Sequence, residues 1–136
     1  LFPYTTLFRS VLEAIWIDGD DVLLGELCGN LLDNALKYTP AQGTVTARLR
    51  REGEAVVLEV EDSGPGIEDE QIHQAMLPFH RLENAGTEAG AGIGLALVSD
   101  IARLHRTHPH LSRSNTLGGL HVRVRFLVVA HIPMKT

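Results

Sequence analysis

The segment from Asp20 to Pro40 constrains the fold of this chain more than any other. Wound as an α-helix at about 100° per residue, it sets Asn30, Asn34 and Lys37 at roughly 40°, 80° and 20° from Glu26, on one narrow arc. Leu24, Leu27, Cys28, Leu31, Leu32 and Ala35 take the opposite half, a stripe expected to face a core. A merely solvated face would mix Lys and Glu in salt-bridging pairs. This one aligns a carboxylate, two amides and an ammonium. Asn competes for backbone hydrogen bonds and is a poor residue for a helix interior, so two of them one turn apart call for a role. An exposed face with two indifferent Asn is the plain alternative; a metal and phosphate site presented along a helix is the sharper one.

The chain has 136 residues, enough for one domain with a sizeable core. Twelve basic against 17 acidic residues give a net charge of −5, which argues against a general binder of nucleic acid or membrane surface. Arg48, Arg50 and Arg51 cluster, but alternate along an expected strand and read as a solvated edge. Cys28 is the single cysteine and lies on the apolar side of the helix, a small hydrophobe with no partner for a disulfide. His105, His108 and His110 lie in a Pro-interrupted stretch without a firm zinc spacing. No run approaches the roughly 20 apolar residues of a membrane span.

Leu1 to Ser10 resembles neither a signal peptide nor a helix start, and is expected to be a foreign or boundary segment, leaving 11–136 as the domain. Val11 to Asp18 reads as a short strand, and Asp20 as the N-cap of the long helix. Thr39-Pro40 ends that helix, because Pro disfavours helical geometry in the residue before it. Val45, Ala47 and Leu49 alternate with polar residues, as do Leu58 and Val60 after a turn at Glu52 to Glu54, predicting a hairpin. Asp62-Ser63-Gly64-Pro65-Gly66 follows, then a short helix from Glu68 to Ala75. Met76 to Ala89 is irregular, and a loop of that length inside a compact domain is usually functional. A glycine-rich start opens an amphipathic helix through Leu97, Val98, Ile101 and Leu104, and strands over Leu111 to Asn115 and about Val122 to Val128 close the chain. The order predicts an α/β (α+β) two-layer sandwich, a mixed sheet of about five strands covered on one face by three helices.

Gly92 and Gly94 at a helix start favour an anion through free N–H groups and the positive dipole end, although a tight turn explains them equally well. No Gly-Lys-Ser/Thr follows and no βαβ unit surrounds them, so neither a P-loop nor a Rossmann turn is present. Asp62 with Gly64 and Gly66 lets backbone approach a flat ligand, yet alone is ordinary turn material.

In combination and in this order, Glu26-x3-Asn30-x3-Asn34-x2-Lys37-Tyr38, Asp62-x-Gly64-x-Gly66, Leu77-Pro78-Phe79-His80-Arg81 and Gly90-x-Gly92-x-Gly94-Leu95 resemble the N, G1, F and G2 boxes of sensor histidine kinases. Their ATP-binding catalytic domain belongs with the gyrase, heat-shock chaperone and mismatch-repair ATPases of the Bergerat fold. The resemblance implies that Asn30 coordinates Mg²⁺ through its amide oxygen, a hard ligand for a hard cation. It implies that Asn34 and Lys37 contact the phosphates of ATP, with Tyr38 beside the nucleotide. Asp62 would accept a hydrogen bond from the adenine amine, and Glu26 would act as a polarising or basic group. Arg81, in a flexible lid over 76–89, would neutralise γ-phosphate charge, and Gly90, Gly92 and Gly94 would cradle the phosphates. Gly64, Gly66, Ile67, Phe79, Ile93 and Leu95 complete the implied nucleotide pocket. Such an inventory suffices for activating ATP, because phosphoryl transfer is mostly positioning and charge neutralisation.

In that family the acceptor histidine sits on a separate dimerisation domain, and a response regulator acts downstream. No matching segment precedes Val11, and none of the seven His has an acceptor's context. The resemblance thus implies a cytoplasmic, monomeric nucleotide-binding half of a homodimeric bacterial inner-membrane sensor. Two departures stand out. His105-Arg106-Thr107 replaces the family's His-Gly-Gly, and Gly118-Gly119 lead to Leu120 where a Thr often follows. A catalytically silent regulatory module of the same fold is the alternative, and an ATP-hydrolysing clamp of the chaperone or gyrase type is disfavoured by Lys37-Tyr38-Thr39-Pro40.

Overall fold

A computed structural model describes residues 5–6, 15–75 and 90–129 of the chain. Helix α1 spans Asp21–Tyr38. Asp20 caps it as expected, its carboxylate accepting from the Leu23 N–H at 3.0 Å. At the other end the N–H and hydroxyl of Thr39 both reach the Ala35 carbonyl, at 3.1 and 2.7 Å, and Pro40 prevents a further turn. Strands β2 (Thr44–Glu52) and β3 (Ala55–Asp62) form the expected hairpin, in register from Val45 opposite Asp62 to Glu52 opposite Ala55. The short helix α2 (Asp69–Ala75) follows, then α3 (Gly90–Leu104), β4 (Pro109–Arg113) and β5 (Leu120–Leu127).

A two-residue strand β1, Thr5–Thr6, runs parallel to β2, and the remaining pairings are antiparallel. The sheet order is β1-β2-β3-β5-β4. Strand β1 falls in the segment read as foreign. In place of the strand expected over Val11 to Asp18, the described part holds one isolated bridge, Ile17 to Val128; residues 11–14 lie outside the described residues. The segment 76–89 lies outside them as well.

The core forms where α1 and α3 lie on one face of the sheet. Leu27, Leu31 and Ala35 meet Leu95, Val98 and Ile101 over Val45, Val56, Val60, Val122 and Val124. Each large apolar side chain fully buried there stabilises the fold by about 1.5–3 kcal/mol. Leu32 departs from the expected stripe and is 38% exposed. The buried sector of α1 centres near Leu27 and Leu31, roughly 100–140° from Glu26, which leaves Leu32 at about 240° beyond its edge and draws Asn34 inside it.

The opposite sheet face is charged, and its arginines Arg48 and Arg50 are exposed as expected, as is Arg51. Glu59 and Glu61 are only 3% and 5% exposed, covered by arginines from the neighbouring strand. Arg50 Nε lies 3.0 Å from Glu59 Oε2, Arg48 Nη2 3.2 Å from Glu61 Oε2, and His121 Nε2 3.1 Å from Glu59 Oε1.

His105 ties the helices together. Its Nδ1 meets the Ile101 carbonyl at 2.8 Å, and its Nε2 accepts the Asp20 N–H at 3.0 Å, joining the end of α3 to the start of α1. With both ring nitrogens engaged by backbone, this histidine serves the fold.

Candidate nucleotide site

Four of the polar residues singled out in the sequence lie along α1, at the positions a helix dictates. Asn30 donates through Nδ2 to the Glu26 carbonyl one turn back, at 2.7 Å, and among the described residues its Oδ1 takes no partner. Gly94, in the second turn of α3, faces the same arc. A Cβ placed on it would stand 3.8 Å from Asn34 Oδ1 and 3.9 Å from Asn30 Oδ1. Two amide oxygens therefore converge on bare backbone near the N-terminus of α3, where unpaired N–H groups and the helix dipole carry positive charge. Asn34 is 8% exposed, and among the described residues its Oδ1 has no hydrogen-bond partner. An unmet buried acceptor costs about 1–3 kcal/mol, so its placement beside a second free amide oxygen is what a site for a hard cation or its bound water requires.

Glu26 and Lys37 are exposed on the same helix. Lys37 Nζ sits 5.7 Å from the centroid of the half-buried Tyr38 ring, in the last turn, where a cation also suits the helix dipole.

The far end of the site is built around Asp62, the last residue of β3. Its side chain is almost entirely buried, at 4% exposure. Oδ1 accepts the Gly64 N–H at 2.9 Å and the Leu120 N–H at 3.2 Å. Both bonds go to one oxygen; among the described residues Oδ2 takes none. Burial pushes the Asp62 carboxyl above the usual carboxylate range, and the N–H groups of Leu120 and Gly64 oppose that rise. Two glycines permit this packing. A Cβ at Gly64 would stand 2.7 Å from the Tyr38 carbonyl oxygen, and one at Gly119 would collide with the carboxylate and carbonyl oxygens of Asp62. Gly64 thus seats the end of α1 against the Asp62 turn, and Gly66 continues that turn at φ +77°.

Asn30, Asn34 and Gly94 therefore meet at one end, and Tyr38, Asp62 and Gly64 at the other. Ile67 is half-buried against the core, and Leu95 is inside it. Of Gly90, Gly92 and Ile93 only the helical backbone is described, and Phe79 and Arg81 lie outside the described residues.

Sequence reasoning missed the part played by Gly119 and Leu120. It noted Gly118-Gly119 as leading to Leu120, where a hydroxyl residue often follows. The turn itself uses Gly118, at φ +88°. Gly119 serves the approach to Asp62, donating its N–H to the Asp62 carbonyl at 3.0 Å. The signal available was the second glycine, one more than the turn needs.

Residues 19–130 match the family described as histidine kinase-, DNA gyrase B- and HSP90-like ATPase. Over 112 residues, 82% of the chain, the sequence is 36% identical to the sensor protein kinase PmrB of Pseudomonas aeruginosa, of which it covers 24%. It is 33% identical over 89% of its length to the sensor protein BasS of Escherichia coli, covering 32% of that protein. The chain thus spans about a quarter to a third of these relatives. Among solved structures, the mycobacterial sensor histidine kinase MprB is similar at 28% identity and a TM-score of 0.69, over 82% of this chain and 76% of that one. The catalytic domain of the histidine kinase ThkA shares the fold at a TM-score of 0.77, over 93% of this chain and 81% of that one, at 20% identity.

Proposed function

This chain belongs to the histidine kinase-, DNA gyrase B- and HSP90-like ATPase family, and from that premise we propose that it binds Mg-ATP and presents the γ-phosphoryl group to a histidine on a separate dimerisation domain, in two-component signalling. The observation that carries this reading is the convergence of the Asn30 and Asn34 amide oxygens on Gly94, with Asn34 Oδ1 buried and unpartnered. The donor set fits Mg²⁺, which prefers hard oxygen ligands and keeps several waters. Asn30 would hold it, and when bound it would offset charge on the phosphate oxygens.

The chain's own residues supply the rest. Asn34 and Lys37 orient the phosphates, and the first turns of α3, with Gly90, Gly92 and Gly94, offer N–H groups to them. Tyr38, Gly66, Ile67, Phe79, Ile93 and Leu95 belong to the nucleotide pocket. Asp62 receives the adenine amine, for which Oδ2 is the oxygen left over. Glu26 polarises the incoming nucleophile, and Arg81 neutralises γ-phosphate charge from the lid. We assign residues 11–136 to this domain and 1–10 to a boundary segment. Among the described residues no helix is long and apolar enough to cross a membrane; the parent protein is a membrane-anchored sensor dimer with this part in the cytoplasm, passing phosphate on to a response regulator.

Calorimetric titration with a non-hydrolysable ATP analogue, with and without Mg²⁺, tests the site. Binding strengthened by Mg²⁺, with that gain lost in Asn30→Ala, is the expected result. Retained Mg²⁺ enhancement in Asn30→Ala removes the metal role from Asn30, and a wild-type chain that binds no nucleotide overturns the reading.

A further inference from the structure

The loop that braces Asp62 is itself held from the other face of the sheet. Ser114 follows β4 and is 1% exposed. Its hydroxyl donates to Glu61 Oε1 at 2.9 Å and accepts the Leu117 N–H at 2.9 Å. Its backbone N–H donates to the Gly119 carbonyl at 2.7 Å, and its carbonyl accepts the Gly118 N–H at 2.9 Å. Ser114 therefore closes the 114–119 turn on itself and pins it to β3. Glu61 is in turn held by Arg48 Nη2 at 3.2 Å, with His121 Nδ1 at 3.8 Å. Where the turn ends, the Gly119 and Leu120 N–H groups meet the carbonyl and Oδ1 of Asp62. Glu61 and Asp62 are neighbours in sequence, so alternation along the strand sends one to each face of the sheet. The carboxylate on the outer face anchors the loop that orients the carboxylate in the site.

We propose that Ser114 and Glu61 are positioning residues for nucleobase selection: their hydrogen bond fixes the 114–119 turn so that the Leu120 N–H occupies Asp62 Oδ1 and Oδ2 is left for the base. This rests on the reading of Asp62 as the adenine contact. It also accounts for Leu120 standing in place of a hydroxyl residue, since the contact to Asp62 comes from backbone.

Two measurements test it. Hydrogen exchange reads the Leu120 amide without nucleotide, and competition binding reads the preference for ATP over GTP. In Ser114→Ala and Glu61→Ala, the Leu120 amide should exchange about fivefold faster or more, the equivalent of one net hydrogen bond, while Val122 and Val124 in the middle of β5 keep their protection. The ATP preference should fall by a similar factor, about fivefold. Glu61→Gln keeps an acceptor for the Ser114 hydroxyl and should retain both properties. Unchanged Leu120 exchange, or protection lost evenly along β5, overturns the proposal. A Glu61→Gln chain that loses what Glu61→Ala loses assigns the effect to charge rather than to the hydrogen bond, and also overturns it. If the wild type prefers ATP and Ser114→Ala discriminates as well as it does, this proposal alone fails. A wild-type chain indifferent between ATP and GTP removes the base-reading role from Asp62, and the proposal falls with it.

Discussion

Asp62 carries two opposed demands on one side chain. Burial raises its carboxyl above the ordinary range, so the folded chain favours the protonated form more than the unfolded chain does. Its contribution to stability is accordingly greatest in acid, and falls as pH rises from the unfolded value near ~3.9 through the raised folded one. When ionised, Asp62 is a buried carboxylate whose Oδ2 has no partner among the described residues, and on the proposed reading an amine of the ligand meets it there. Asp62→Asn retains an oxygen for the Gly64 and Leu120 N–H groups and removes the buried charge. Thermal unfolding should show the variant more stable than wild type at pH 7 and close to it at about pH 3, where both side chains are neutral. Its amide would present an N–H where adenine also presents one, a mismatch that guanine's carbonyl does not share. Competition binding should show the ATP preference falling about tenfold or more, the scale of a hydrogen bond to a charged group. Equal stability at both pH values would remove the strain assigned to Asp62.

At the scale of elements, α1, the β2–β3 hairpin and α3 were legible because periodicity and punctuation agreed in each: Asp20 and Pro40 bound α1, and alternation marked the strands, although the apolar Ala47 and Leu49 of β2 are exposed. The polar arc was legible for the same reason, since Glu26, Asn30, Asn34 and Lys37 share a face by spacing alone. Less legible was what depends on a neighbouring element. Leu32 reads as part of the core stripe by helical spacing but falls outside the sector that is buried, and is exposed. Nothing local marks Glu59 and Glu61 as buried; the register with Arg48 and Arg50 covers them. The pinning of Asp62 by the 114–119 turn joins residues more than 50 positions apart, which no local pattern encodes. The end of α3 illustrates a departure that the sequence flagged and the backbone explains. Thr107 N–H reaches the Ala102 carbonyl at 3.0 Å across Arg106, which sits at φ +62°, the left-handed position that glycine usually fills. A non-glycine residue there costs about 1 kcal/mol. Arg106→Gly should therefore stabilise the chain by at most about 0.5 kcal/mol, since glycine's looser unfolded state offsets part of the gain. Chemical denaturation would show a higher midpoint at unchanged slope; a lower midpoint would mean that the arginine side chain contributes more than its backbone costs.

The whole molecule separates two sets of charges across one sheet. On the helix side lie the amides, the lysine and Asp62; on the outer face Glu59 and Glu61 lie beneath Arg48, Arg50 and His121. Burial pushes the Glu59 carboxyl up, but the hydrogen bond and charge of Arg50, joined by His121, outweigh it and hold the group below its ordinary value. The sign is the reverse of that at Asp62. Glu59 contributes stability that is present above the unfolded value near ~4.3 and is lost as pH falls toward the lower folded one. The two carboxyls thus pull the pH profile in opposite directions, and because they stand on opposite faces their effects should add. Glu59→Gln should flatten the loss of stability on acidification below about pH 5, leaving the opposite trend from Asp62 exposed. Combined with Asp62→Asn, it should remove most of the pH dependence that both groups create. Unfolding midpoints of wild type, both single variants and the double variant, measured from pH 7 down to about 3, complete the comparison. If Glu59→Gln keeps the wild-type acid slope, the outer-face network is a solvated array without thermodynamic weight, and acid sensitivity originates elsewhere in the chain.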